Sequence, residues 1–291
     1  MSSYENLTYR VIEAIEKNHA APWHRPWRSS GQRSKPTNLV SRRPYSGINT
    51  FLLAMMGYRS PWWLTLKQAN ALGGSIRRGE QGTAVVFWRL VQKRDSAKGE
   101  SEQFPLLRHS VVFNLEQTEG LNDSHSEDAS QTLPDPVESC EAVIQGFGNG
   151  PRIREGGDAA FYSLAEDLIA VPALNQFGVV EEFYSTLFHE LTHSTAHPTG
   201  LNRKLISLQA SRDTRVYDKE ELIAELGASM LCAHANIDSI TFDNSVAYLS
   251  GWVQAFRDKP KTFVEAASAA QKAVDFILGT VQSKETKSTE C

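Results

Sequence analysis

His189 and His193 stand four residues apart in the string Phe188-His189-Glu190-Leu191-Thr192-His193, with Glu190 between them. On a helix of about 3.6 residues per turn, that spacing stacks both imidazoles on one face, where they can grip a single metal ion. Zinc is the ion such a pair suits best, with another divalent metal such as Mn(II) as the alternative. Glu190 lies on the same turn, placed to take a proton from an attacking water. Phe183, Leu187 and Leu191 recur every four residues and give this stretch a core stripe, with Tyr184 and Phe188 beside it. Pro198 and Gly200 mark where the helix must stop.

A zinc site needs a third protein ligand. His197 follows His193 by four residues. On a continuous helix it would lie about 12 Å from His189, too far to share an ion held at about 2 Å. It is expected instead to meet the last carbonyls of the helix. The extended spacing HExxHxxGxxH is absent. The better source is Tyr217-Asp218-Lys219-Glu220-Glu221-Leu222-Ile223-Ala224-Glu225-Leu226-Gly227-Ala228, where Leu222, Ile223, Leu226, Met230 and Leu231 form a core stripe and Glu221 and Glu225 share another face. One of these carboxylates can bind metal while the other orients a ligand histidine through its free ring N–H. A competing assignment makes Asp218 and Glu221 a helix-capping pair. The run from Glu221 to Glu225 resembles the ExxA(D/E) element of the Glu-ligand zinc peptidases, or gluzincins. That resemblance implies Glu221 as ligand and Glu225 as its support, or as the ligand in its place.

The elements that must position these groups belong to a chain of 291 residues and 41% hydrophobic content, enough for a sizeable core and two domains. Its net charge of −4 hides an asymmetry: residues 1–110 carry 17 Lys+Arg against 7 Asp+Glu, and the remainder carries 13 against 27. The first part is therefore expected to meet a polyanion. Three scattered cysteines, Cys140, Cys232 and Cys291, suggest a reducing compartment and exclude a CxxC metal site. No apolar run approaches a membrane span, and Met1–Lys17 is polar, so neither anchor nor signal peptide is expected and the location predicted is cytoplasmic. Residues 116–139 are acidic and rich in Ser, Asp and Gln, with Pro134 and Pro136, and predict a linker. The expected organisation is a basic module over 1–115, that linker, a metal-binding domain over 140–282 and a disordered tail over 283–291. No internal repeat is present.

In the basic module aromatic and cationic residues are interleaved. Five of the six tryptophans lie here: Trp23, Trp27, Trp62, Trp63 and Trp88. Arg25, Arg42, Arg43 and Tyr45 neighbour such rings in Pro-rich strings. Aromatic faces can stack on unpaired bases while Arg and Lys neutralise phosphates, which points to single-stranded nucleic acid. The competing expectation is that the tryptophans build a small core. Periodicity and breakers predict helices over Tyr4–Lys17, Ile48–Met56 and Thr65–Ala71, then a basic turn-rich loop from Gly73 to Thr83 with Arg77 and Arg78, then a strand from Ala84 to Leu90. The loop lacks the GxxxxGK[ST] pattern of a P-loop. A further strand is expected over Ser110–Leu115.

The strings PWHRPW, YSGIN, WWLTLKQA, GGSIRRGEQGTAVVFW and VVFNLEQTEGL resemble the N-terminal domain of the ArdC-type antirestriction proteins. FYSLAEDLIAVPALNQF, FHELTHSTAHPTGLNR and EELIAELGASMLCAH are similar to the metallopeptidase domain that follows it in that family. The resemblance covers nearly the whole chain. It implies an α+β architecture, a small basic domain followed by a gluzincin-like one, with His189, His193 and Glu221 on the metal and Glu190 as general base. It further implies a protein of conjugative plasmids that binds single-stranded DNA and protects incoming DNA from host restriction enzymes. A related N-terminal domain accompanies plasmid primases, so that domain alone does not imply antirestriction. A protein substrate or a restriction-system component is the expected second partner. The rival expectation is an active zinc peptidase tethered to DNA that trims DNA-bound proteins; the plainest is a DNA-coating protein without a specific restriction target. The strand bordering the cleft, where a peptide could add, is expected between Tyr162 and Phe177, and Tyr184 or Tyr217 is the candidate to stabilise an oxyanion.

Overall fold

A computed structural model describes residues 35–94, 101–121, 135–203, 214–237 and 247–280, together with scattered positions between 5 and 16 and residues 241 and 245. The first half is built on a four-stranded sheet. Its strands are β1 (Thr37–Asn38), β2 (Trp62–Leu64), β4 (Thr83–Arg94) and β5 (Ser101–Asn114), in the order β1-β2-β5-β4. β4 and β5 form a long antiparallel hairpin in register from Thr83↔Val112 to Arg94↔Ser101. The expected strand over 84–90 thus extends at both ends. Its apolar run Thr-Ala-Val-Val does not alternate with polar residues because both faces are covered. Val85 packs with Leu53, Trp63 and Val112, and Ala84 and Val86 face the main core.

Helix α1 (Ile48–Ala54) lies against β4. Its Asn49 donates from Nδ2 to the Val86 carbonyl and accepts the Val86 N–H on Oδ1, both at 2.7 Å. One side-chain amide thereby satisfies the backbone groups that an additional strand would otherwise take. Helix α2 (Leu66–Ala71) begins at a capping box, in which Thr65 accepts the Gln68 N–H and Gln68 accepts the Thr65 N–H. β3 (Ser75–Ile76) pairs antiparallel with β6 (Thr118–Glu119). Both margins of the linker expected over 116–139 carry regular structure. Gln117 is buried, β6 is paired, and helix α3 (Pro136–Gly146) starts behind an Asp135 cap with Pro136 in its first turn. Residues 122–134 and the tail over 283–291 lie outside the described residues.

The second half carries a three-stranded sheet of β7 (Arg152–Glu155), β8 (Phe161–Ser163) and β9 (Leu168–Val171), ordered β7-β9-β8. Helices α4 (Val180–Ser194), α5 (Thr214–His234), α6 (Val253–Asp258) and α7 (Lys261–Ile277) follow, with α5 packed against both α4 and α7. The stripe Phe183, Tyr184, Leu187, Phe188 and Leu191 is buried, as its spacing requires. α7 approaches closely because Ala266, Ala267, Ala270 and Ala273 line its buried face. One apolar cluster runs through both halves of the chain, joining Val11, Ile12, Leu52 and Val86 to Cys140, Ile169, Phe188, Leu226 and Ile277. The architecture is α+β, as expected. Among the described residues no helix is long and apolar enough to cross a membrane.

Candidate metal centre

The two histidines face Glu221 because α4 and α5 pack closely, the Gly227 backbone of α5 against the Thr192 side chain of α4. A Cβ placed on Gly227 would stand 2.5 Å from Cγ2 of Thr192, so only glycine allows this approach. Glu221 lies just under two turns before Gly227 and is thereby set against the α4 face that bears His189 and His193. α5 starts at Thr214, ahead of Asp218, so Glu221 is a helix-interior residue and not part of a cap.

The Nε2 atoms of His189 and His193 lie 3.1 Å apart. Glu221 turns one carboxylate oxygen to each: Oε2 is 3.4 Å from Nε2 of His189, and Oε1 is 3.4 Å from Nε2 of His193. Ligands bonded at about 2.0–2.1 Å in a tetrahedron stand about 3.3–3.4 Å from one another. The three side chains therefore fit one face of a zinc site and leave its fourth corner open. They are the one set of three or more His, Cys, Asp or Glu among the described residues gathered closely enough to hold an ion.

The other ring nitrogens face carboxylates too. Nδ1 of His189 is 3.6 Å from Oε2 of Glu225, and Nδ1 of His193 is 3.7 Å from Oε1 of Glu220. Glu220 in turn is held by Arg203, at 2.6 Å from Nη2 and 3.2 Å from Nε. Burial alone would depress the His189 pKa, but Glu221 and Glu225 outweigh it and raise it to about 10. His193 is likewise disfavoured as a cation by burial, yet raised by Glu220 and Glu221. Burial pushes Glu221 and Glu220 up, but their cationic partners win and hold both below the usual carboxylate range.

Glu190 is 7% exposed, and burial raises its pKa against the pull of the two histidines. It also accepts a hydrogen bond from the backbone of Tyr162 on β8. This contact identifies the strand at the site. β9, at the heart of the segment expected to border the cleft, has a neighbour on each side, so the sheet edge beside Glu190 belongs to β8. Tyr184 is no oxyanion donor here: its hydroxyl donates to Glu141 at 2.7 Å and its ring is buried in the core. The Tyr217 side chain lies outside the described residues. His197 does not meet the last carbonyls of α4 through its ring; its Nδ1 pairs with the hydroxyl and N–H of Thr199. Glu220 and Arg203 are the residues that spacing did not single out. The available signal was a third acid beside Glu221, but its partner lies 17 residues away in the sequence.

The residues expected to contact DNA divide. Trp23, Arg25 and Trp27 lie outside the described residues. Trp62 and Trp63 are core residues, 8% and 2% exposed, so neither offers a free face to a base. One packs beneath the guanidinium of Arg42, 4.7 Å from its ring, and the other edge-on to Tyr58. Apolar burial of a large ring is stronger than any surface role its position suggests. Tyr45 is half-buried and accepts from Asn38. Arg42 is exposed in a left-handed turn, and Arg43 and Arg78 are exposed. Arg77 is paired with Glu80 and donates to the Glu116 carbonyl.

Residues 1–113 match the family described as the N-terminal domain of anti-restriction factor ArdC, and residues 138–269 match the zincin-like metallopeptidase family. The metal-free crystal structure of the antirestriction ArdC protein from plasmid R388 is 34% identical. It covers 95% of this chain and 97% of its own, with a TM-score of 0.66. The Mn(II)-bound structure of the same protein is 31% identical over 98% and 100%, with a TM-score of 0.67. DNA primase TraC of Escherichia coli is 32% identical over 97% of this chain, which spans only 27% of that protein's length. An uncharacterized protein, y4eC, of Sinorhizobium fredii is 29% identical over 94% of this chain and 91% of its own.

Proposed function

This chain belongs to the ArdC family of antirestriction proteins, and we propose that it binds single-stranded DNA and shields incoming plasmid DNA from restriction endonucleases. The observation that carries this reading is the likeness, end to end, to the R388 antirestriction protein. The basic segment 1–115 is the natural DNA-binding surface, through Arg42, Arg43 and Arg78 together with the cations and rings of 23–28. His189, His193 and Glu221 would hold zinc, or Mn(II) as in the R388 protein. Such an ion, when bound, polarises a peptide carbonyl and makes water a better nucleophile.

The protein's own groups fit that chemistry. Glu190 is a buried carboxylate whose raised pKa suits it to accept a proton from water and pass it to a leaving amine. The β8 edge beside it can take an extended peptide as an added strand. This completeness favours a second reading, a peptidase that uses DNA as a tether and acts on DNA-bound proteins.

Glu190→Ala in the full chain separates the two. Transfer of unmodified plasmid DNA into a restricting host is scored beside zinc content. Protection retained with zinc still bound means that shielding needs no hydrolysis, and protection lost with zinc still bound favours the peptidase. A protein that protects equally against a non-specific nuclease in vitro would be a coat without a restriction target, and the antirestriction reading would fall.

A further inference from the structure

We propose that Glu220, anchored by Arg203, orients His193 at the metal, so that the two ligand histidines are steered by separate carboxylates. The inference rests on the reading of His189, His193 and Glu221 as the metal centre. An imidazole that gives its Nε2 lone pair to an ion must carry its proton on Nδ1, and that N–H needs an acceptor to fix the ring. Glu225 faces Nδ1 of His189, and Glu220 faces Nδ1 of His193.

Glu220 is buried, and a buried carboxylate persists only with a strong partner. Arg203 supplies a two-pronged one through Nη2 and Nε. The same guanidinium donates from Nη1 to Thr195 Oγ1 at 2.7 Å and from Nη2 to the Thr192 carbonyl at 3.0 Å. It therefore caps the last turn of α4, the turn that carries His193, while it holds Glu220 on α5. Directly after α4 the chain turns back on the helix end, with the Leu201 N–H on the Thr195 carbonyl and Asn202 in the left-handed region. One arginine thus ties the helix that presents the ligand to the carboxylate that aims it. Arg203 touches no metal ligand itself and is a positioning residue.

A plain structural ion pair would occupy the same place, and the test must distinguish the two. Zinc affinity of the full chain is measured by competition with a chromogenic chelator, for wild type, Glu220→Gln, and the double variant Arg203→Met with Glu220→Leu. The double change replaces the pair by apolar groups of similar size, a swap often tolerated by folds. Both variants are expected to bind zinc about 10–100-fold more weakly. Arg203→Lys, which leaves Glu220 a cationic partner, should recover part of the loss. Affinity unchanged in the folded double variant shows a structural pair only and overturns the proposal. Ring-nitrogen NMR of the zinc-loaded wild-type chain needs no variant to fold: metal at Nε2 and a proton at Nδ1 of His193 are expected, and metal at Nδ1 overturns it. A wild-type chain that takes up no zinc overturns the centre itself, and this proposal with it.

Discussion

At the scale of single residues, three carboxylates of one helix are distinguished by which nitrogen each faces. Glu221 meets the two Nε2 atoms, while Glu225 and Glu220 face Nδ1 of His189 and His193. Glu221 favours the protonated form of the histidines, and the direction of each pKa fixes how pH acts. His189, raised from 6.5 to about 10, contributes stability that is complete below about pH 6.5 and lost as pH rises through about 10. Glu221, depressed from 4.5, contributes stability present above about pH 4.5 and lost in more acid solution. Metal requires the histidines neutral, so zinc must expel a proton and should bind more tightly as pH rises between about 6 and 9. Calorimetry in buffers of different ionisation enthalpy will count that proton; an affinity flat with pH would contradict the raised histidine pKa values. Much of this centre was legible beforehand. His189, Glu190 and His193 are fixed by the geometry of one helix, and a four-residue spacing put Glu221 and Glu225 on one face. Glu220 was not, because its role depends on Arg203, 17 residues away in the sequence.

At the scale of elements, periodicity served the helices well and the short strands poorly. α4 and α5 each bury one stripe against a common core, and a 3.6-residue repeat records that burial directly. β8 is three residues long, and no repeat can be read from three residues; β4 is covered on both faces from Thr83 to Val86 and shows no alternation there. Linker composition also misled at its margins, since Gln117 and the Asp135 cap owe their order to distant or local hydrogen bonds and not to hydrophobicity. The approach of α4 to α5 depends on one glycine. Gly227→Ala drives a methyl into Thr192 and should cost about 1–3 kcal/mol. Because the two helices carry opposite sides of the metal site, zinc affinity should fall with it. Urea denaturation and metal titration of the same variant check both parts; a variant as stable as wild type with full affinity would mean that the helices can part without consequence.

At the scale of the molecule, charge and aromaticity separate into different tasks. The sequence offered tryptophans and arginines together as a DNA surface, but burial assigns Trp62 and Trp63 to the core and leaves Arg42, Arg43 and Arg78 outside. Trp63→Ala should therefore destabilise by about 3–5 kcal/mol, as loss of a core ring does. Arg43→Glu and Arg78→Glu should leave the melting temperature near wild type, weaken binding to single-stranded DNA, and reduce the slope of log affinity against log salt by about one each. Fluorescence anisotropy with a labelled oligonucleotide across a salt series measures all three. Unchanged slopes would remove these arginines from the surface.

The apolar cluster that joins Val11 and Val86 to Phe188 and Ile277 also limits how such a protein can be inherited. Half a gene encodes half a core, with wet apolar surface where its counterpart should lie. A crossover through its middle should therefore leave each piece with exposed apolar surface that the other piece covers, and the solubility of the two halves expressed apart checks this.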